Sequence, residues 1–353
     1  MSETDDIVVE ARDGVGRFLL NRPKALNALT LDMVRAMQAR LDAWATDETV
    51  RAVVVRGAGG RAFCAGGDIR RLYDQGRATG HPGFAEFFGE EFILNRTIFR
   101  YAKPYVALMN GMTMGGGVGV SVHGSHRVAT EATAFAMPET GIGYFPDVGG
   151  SYFLPRCPGE IGMYMALTGA RLKAADALYA GVATHYVPGE RLDALCAALG
   201  DHSVDAVLAE FADDPGPAPL AEQRSAIDRC FAGESVEAIV EALEAEGTDW
   251  AGTALARIGR MSPTSLKVAH RVLRTGAELD FEACMTMEFR LALRFMAGHD
   301  FFEGVRALVV DKDNAPAWSP ARLKEVSEDT VNAYFAPADH PDLTFDRKRN
   351  NTP

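Results

Sequence analysis

Strand and helix patterns alternate through roughly the first two hundred residues and then give way to helix alone. This predicts an α/β fold with a mostly helical C-terminal region. Three observations carry the prediction. β-Branched or aromatic runs of strand length, such as VRAVVVR (50–56) and YVALM (105–109), are separated by stretches of helical periodicity. Glycine-rich loops follow two of these runs closely. From Asp213 the run DDPGPAP has linker composition, and nearly everything beyond it favours helix. The chain therefore divides into a core at 1–212, a linker at 213–219, a helical region at 220–340 and a polar tail at 341–353.

In chain order, 7–10 and 17–20 flank Asp13-Gly14-Val15-Gly16 and read as a hairpin. Thr30 can cap a helix to about residue 45, since Leu31, Val34, Met37, Leu41 and Trp44 recur at helical spacing. The strand at 50–56 runs into the loop GAGGRAFCAGGDI, and 84–100 reads as an amphipathic helix with Glu90 and Glu91 facing solvent. A strand at 105–109 leads to the triple glycine Gly115, Gly116, Gly117, where a tight turn opens a helix. Then come a short strand at 135–137, helices at 161–167, 174–179 and 191–199, and a strand at 183–187. Past the linker, helices are predicted at 220–231, 236–246, 264–273, 279–296, 302–310 and 321–335, with a frayed end from 340.

Composition narrows the function. At 353 residues with 47% apolar and 24% charged content, the chain can bury a large core. No apolar run approaches the ~18 residues of a membrane span, and the start MSETDDIVVE is acidic where leader peptides are basic, so a cytoplasmic protein without a membrane partner is expected. A net charge of -12 and the lack of a basic block argue against nucleic acid. The five cysteines (Cys64, Cys157, Cys196, Cys230, Cys284) have no zinc-ligand spacing, so reduced thiols and no metal are expected.

The segment 110–150 is the candidate active site. A helix starting in the triple glycine would present free N–H groups to an anion or a developing oxyanion, and Glu139 and Asp147 follow near a second glycine-rich stretch. Glycine clusters alone also serve plain turns. Nearby, His123 and His126 with Ser121 or Ser125 suggest a Ser/His hydrolase, but no GxSxG elbow accompanies them and the structural reading is preferred. Cys64 has no base placed to activate it.

The pieces RPKALNALT, RAFCAGGDIR, MNGMTMGGGVGVS and AMPETGIGYFPDVGG, in this order and spacing, resemble the enoyl-CoA hydratase/isomerase, or crotonase, superfamily. MGGGVGVSVHG, RVATE, FPDVGG with YFLPR, ALTGARLKAADALYAGVATHYV and DFFEGVRALVVDKDNAPAW are similar to its 3-hydroxyisobutyryl-CoA hydrolase branch. The resemblance implies a spiral of β-β-α turns around an acyl-CoA thioester, a small-molecule substrate whose CoA leaves no need for a separate cofactor. It assigns the oxyanion hole to the N–H groups of Gly67 and Gly116, and two donors from separate loops are what acyl transfer requires. It also implies possible homo-oligomers.

Hydratases of this superfamily carry one glutamate three residues after the middle glycine and one in the PE dipeptide. Here the first position is Gly119 and only Glu139 remains, with Asp147 eight residues on. This Glu plus Asp pair is the arrangement of the hydrolase branch. Glu139 is then either the nucleophile or the base that activates water, while Asp147 orients water, shuttles a proton or binds the substrate hydroxyl. Two carboxyls sharing a buried site should repel, raising one pKa. The branch also has an acid facing substrate where Glu91 stands. Lys24, Arg70 and Lys312 are candidates for the CoA phosphates, with Asp68 and Ile69 beside Arg70 as further CoA contacts. A hydratase or isomerase on this scaffold, or a CoA-thioester binding protein without turnover, are the alternatives.

Overall fold

In a computed structural model of the chain, the residues described are 6–79, 83–337 and 340–345. They form two compact units: Met1–Asp68, Leu94–Ala136 and Arg171–Glu222 make the first, and Ile69–Ile93, Met137–Ala170 and Gln223–Pro353 the second. This division differs from the boundary at 213–219, because 69–93 and 137–170 group with the C-terminal helices.

The first unit holds two sheets. Its strands are β1 (Ile7–Arg12), β2 (Val15–Leu20), β3 (Ala52–Gly57), β4 (Ala62–Cys64), β5 (Tyr105–Met109), β6 (Met112–Met114), β7 (His126–Ala129), β8 (Ala134–Ala136) and β9 (His185–Tyr186). The large sheet runs β1-β2-β3-β5-β7-β9 and the small one β4-β6-β8. Among the strand pairs of the described residues, only the β1–β2 hairpin is antiparallel. Each of β3, β5 and β7 adds to the large sheet and is followed within a few residues by a strand of the small one. This is the repeated β-β-α turn of a spiral.

Alternation along the parallel strands turns Val15, Ala52, Val54, Val106, Leu108 and Val128 to one face of the large sheet. They cluster there with Leu192 and Leu195 of helix Leu192–Ala198 and with Val204, Val207 and Leu208 of helix Val204–Phe211. Each such side chain contributes about 1.5–3 kcal/mol through burial. Helix Leu31–Thr46 starts as predicted at Thr30, whose Oγ1 accepts from the Met33 N–H, and Met33, Val34, Met37, Leu41 and Trp44 are its buried face.

The second unit is built of helices and loops. Ser235, Thr248, Ser262 and Asp280 cap helices Val236–Glu246, Asp249–Ile258, Pro263–Gly276 and Phe281–Met296, each accepting an N–H three residues on. Such caps contribute about 1 kcal/mol each. Phe88, Tyr144, Phe145, Phe295 and Phe301 pack at ring separations of 4.7–6.0 Å.

Three expectations change. The helix opening at Gly116 ends after one turn, Gly116–Gly119, since two further glycines give it little propensity to continue. The segment expected to be helical at 302–310 is helix Asp300–Val305 followed by a wider turn, Arg306–Val310, in which Asp311 N–H reaches Arg306 C=O at 2.8 Å. The helix expected at 321–335 is interrupted by Ser327, which caps a fresh helix, Glu328–Phe335, through the Thr330 N–H. Part of the tail expected to fray, 346–353, lies outside the described residues.

Candidate active site

Two glycine loops meet in the first unit. The CAGGD loop is tied to the segment before helix Leu31–Thr46: Ala65 N–H bonds Leu26 C=O at 3.0 Å, and Leu29 bridges the loop by taking Asp68 N–H at 3.0 Å and donating to Gly66 C=O at 2.8 Å. Gly67 lies between those bonds, and its N–H donates to no backbone carbonyl among the described residues. Gly116 N–H opens the one-turn helix and is likewise without a backbone acceptor among them. A Cβ placed on Gly66 would stand 3.7 Å from the Gly116 nitrogen, so the two loops run in contact. Gly115 has φ 48° and ψ -125°, which demands glycine, and a Cβ on Gly117 would overlap the Cys64 carbonyl oxygen at 2.1 Å. The two expected oxyanion donors therefore sit on loops pressed together by the absence of side chains.

The acids lie in the second unit. Glu139 opens the short turn Glu139–Ile142 after Pro138, Asp147 stands in the loop before helix Gly150–Phe153, and Glu91 projects from helix Phe84–Phe99. All three are buried, with relative exposures of 5%, 5% and 2%. Reading Glu91 as solvated is thus corrected: it occupies the buried side of its helix, in register with Phe84, Phe87, Phe88 and Leu94. Among the described residues, none of the three pairs with a cation. Glu91 Oε1 and Glu139 Oε2 are buried without a hydrogen-bond partner among the described residues.

Burial pushes the Glu91 and Glu139 carboxyls up to about 8. Asp147 is raised well above the usual carboxylate range, first by burial and then by the charges of Glu91, Glu139 and Glu288. Repulsion between acids, expected as the main cause, is thus second to desolvation. The Tyr144 hydroxyl lies against the Asp147 carboxyl without the geometry of a formed hydrogen bond, and burial holds its proton firmly. Reading the sequence missed Tyr144 and Glu288. The signal for Glu288 was an acid at a core position, because Phe281, Cys284, Met285, Glu288, Ala292 and Phe295 share one helical face and all are buried.

Of the CoA candidates, Lys24, Arg70 and Lys312 are exposed, while Asp68 and Ile69 are half-buried. Lys24 is exposed in the turn Pro23–Ala25, and Asp68 pairs with Arg22 at 2.9 Å. Ile69 begins helix Ile69–Thr79, on which exposed Arg70 pairs with Asp74 at 2.9 Å. Lys312, exposed at φ 59°, sits between Asp311 and Asp313, both bound by Arg306 at 2.7 and 2.6 Å.

The Ser/His pattern has a structural use. Ser125 Oγ lies 2.9 Å from His126 Nδ1, and His126 Nε2 lies 3.1 Å from Asp205 Oδ1, but Ser125 Oγ also accepts the Tyr105 N–H at 2.9 Å. It ties down the start of β5. Ser121 Oγ donates to Gly117 C=O at 2.7 Å, within its own turn, while His123 packs edge-on to Phe99. Cys64 is fully buried.

Comparison with known proteins agrees with this architecture. The enoyl-CoA hydratase/isomerase family model matches residues 15–335. The mitochondrial 3-hydroxyisobutyryl-CoA hydrolase of Danio rerio is 48% identical over 349 residues, covering 96% of this chain and 91% of the relative. That of Homo sapiens is 45% identical over 352 residues, covering 97% and 91%. Among solved structures, a carnitinyl-CoA dehydratase from Mycobacterium thermoresistibile superposes with TM-score 0.93 at 47% identity, over 98% of this chain and all of that one. An enoyl-CoA hydratase from Rhodobacter sphaeroides does so with TM-score 0.90 at 39% identity, over 96% of this chain and 100% of that one. This chain belongs to the enoyl-CoA hydratase/isomerase family.

Proposed function

We propose that the chain hydrolyses the thioester of 3-hydroxyisobutyryl-CoA to 3-hydroxyisobutyrate and CoA, with Glu139 and Asp147 as the reacting acids. The observation that carries the reading is the pairing of Gly119 with a buried Glu139 and Asp147: the glutamate pair that adds water across a double bond is incomplete, while two acids remain for acyl transfer. The names of full-length relatives at 45–48% identity support it. Its place in valine breakdown follows from the substrate's name.

In this reading the thioester oxygen receives the N–H groups of Gly67 and Gly116. Glu139, as carboxylate, attacks the carbonyl carbon to give a mixed anhydride that water then opens, or it takes the proton of a water that attacks directly. On either course the C–S bond breaks and its electron pair leaves with sulfur. Asp147, kept protonated by its surroundings, delivers a proton to that sulfur and regains one from the water consumed. Glu91 faces the substrate and accepts from its hydroxyl. No cofactor beyond the CoA of the substrate is called on, and Lys24, Asp68, Ile69, Arg70 and Lys312 remain proposals for the CoA contacts. One methyl separates 3-hydroxypropionyl-CoA from the proposed substrate, worth only ~1–3 kcal/mol in a pocket, so both are expected to react. Assembly into homo-oligomers is proposed from the family alone.

The names of the two solved structures compared above favour a second reading, a hydratase or dehydratase. One assay separates the two: the protein is mixed with 3-hydroxyisobutyryl-CoA and, separately, with crotonyl-CoA, and free thiol and double-bond absorbance are followed. Thiol release from the first alone supports hydrolysis, whereas loss of the double bond without thiol overturns it. Binding without either signal identifies a non-catalytic module. Among the described residues no helix is long and apolar enough to cross a membrane. The relatives are named as mitochondrial, which gives the cytoplasmic expectation no support; fractionation of the native cells decides the compartment.

A further inference from the structure

The turn that carries Asp147 is held by a residue 139 positions away in sequence. Glu288, fully buried on helix Phe281–Met296, takes the Gly149 N–H on Oε2 at 2.8 Å, and on Oε1 it takes the Ser151 N–H at 2.9 Å and the Ser151 hydroxyl at 2.5 Å. Between Asp147 and these donors the backbone is unusual. Val148 has φ 50° and Gly149 φ 86°, and a β-branched residue in the left-handed region is an outlier that its surroundings must enforce. The turn closes through Gly150 N–H to Asp147 C=O at 2.7 Å.

We propose that Glu288 is a positioning residue for thioester hydrolysis: its carboxylate clamps the Gly149–Ser151 backbone, holds Val148 in its left-handed form and so fixes the direction in which Asp147 presents its carboxyl to the acid site. The donor arrangement selects a carboxylate. Three donors converge on two oxygens, and an ionised acid has acceptor sites for all of them. A glutamine has one oxygen, so its NH2 would face either Gly149 N–H or the Ser151 donors, and an aspartate is a methylene short of reaching both. No cation is needed to explain the buried charge, since Gly149 and Ser151 supply charge-assisted bonds from a helix start. This inference rests on the hydrolase reading, because it assigns Glu288 to the work of Asp147.

The test is Glu288→Gln, purified alongside wild type and assayed for thiol release from 3-hydroxyisobutyryl-CoA, with its crystal structure determined. The expected result is a kcat at least tenfold lower with KM within threefold of wild type, and a relaxed turn in which Val148 takes a negative φ. A structural role alone would lower thermal stability and the yield of folded protein while leaving kcat per folded molecule unmoved. Wild-type kcat in the folded variant overturns the proposal. If Glu288→Gln does not fold, Ser151→Ala serves, since it removes one donor of three; kcat falling threefold or more at constant KM supports the clamp, and an unchanged kcat overturns it. Absence of thiol release by wild type itself overturns the hydrolase reading, and this inference with it, whereas active wild type beside an equally active Glu288→Gln overturns the inference alone.

Discussion

Replacing Glu139 by Gln should stabilise the protein progressively as pH rises. Burial holds the Glu139 carboxyl at about 8 in the folded chain against an ordinary 4.5. Between those values the native state binds a proton that the unfolded chain has lost, so stability falls as pH rises through the window and is free of this burden below it. The gap from 4.5 to about 8 corresponds to about 5 kcal/mol, and sharing among neighbouring acids reduces it to about 3–5 kcal/mol. Glutamine carries no charge to desolvate. It does inherit the unpartnered position of Glu139 Oε2, an offset of about 1–3 kcal/mol that does not vary with pH. Urea unfolding of both proteins at pH 5 and pH 9 isolates the titration from the offset. The difference in unfolding free energy should move in favour of the variant by about 2–4 kcal/mol between the two pH values, while thiol release is nearly abolished throughout. A difference that is flat with pH, or that moves against the variant as pH rises, would refute the claim that a costly buried charge sits at this position.

Three further outcomes follow from the same coordinates. If Glu139 must be ionised to attack or to activate water, kcat/KM for thiol release should climb from pH 6, reach about half its maximum near pH 8 and level off about one unit higher; initial rates from pH 6 to 9.5 giving a falling profile would exclude it as nucleophile or base. Gly117→Ala drives a Cβ into the Cys64 carbonyl and must part the two glycine loops, so thiol release should fall about 10²–10³-fold, as for a lost oxyanion donor, and retention of wild-type rate would show that the loops do not act together. Leu195→Ala, in the fully buried cluster on the large sheet, should cost about 2–5 kcal/mol in urea unfolding with unchanged turnover per folded molecule, and a cost under about 1 kcal/mol would mean that face is not the packed core described.

What sequence could show was limited by the range of each interaction. The hairpin, the Thr30 cap and the stripe on helix Leu31–Thr46 rest on neighbours within a few residues, and their signals were complete locally. Of the small sheet only β8 was legible, as the short strand at 135–137; β4 and β6 have three residues each, too short for a period to show, and are defined by partners about 22 to 50 residues distant. Helix Val204–Phe211 was likewise overlooked, although Ser203 caps it and Val204, Val207 and Leu208 give it one buried face. For the proposed site, Glu139, Asp147, Gly67 and Gly116 could be nominated because they stand in motif strings. Glu91 was legible only through resemblance: beside Glu90 in a helix, composition alone reads it as solvated, and burial had to decide. Glu288 has no motif and meets its partners only through tertiary packing.

The roles proposed for the acids rest on unequal surroundings that charge counting alone would not give. Four carboxyls in one unit, Glu91, Glu139, Asp147 and Glu288, are at most 5% exposed, an arrangement that costs stability at neutral pH wherever an acid ionises. Three donors relieve Glu288, which burial leaves at about 7, whereas burial and the charges of the other three acids hold Asp147 well above the usual carboxylate range. Burial and repulsion both oppose ionisation of Asp147, which suits it to the proposed acid role, while Glu139, raised by burial to about 8, suits the proposed base or nucleophile once it is ionised.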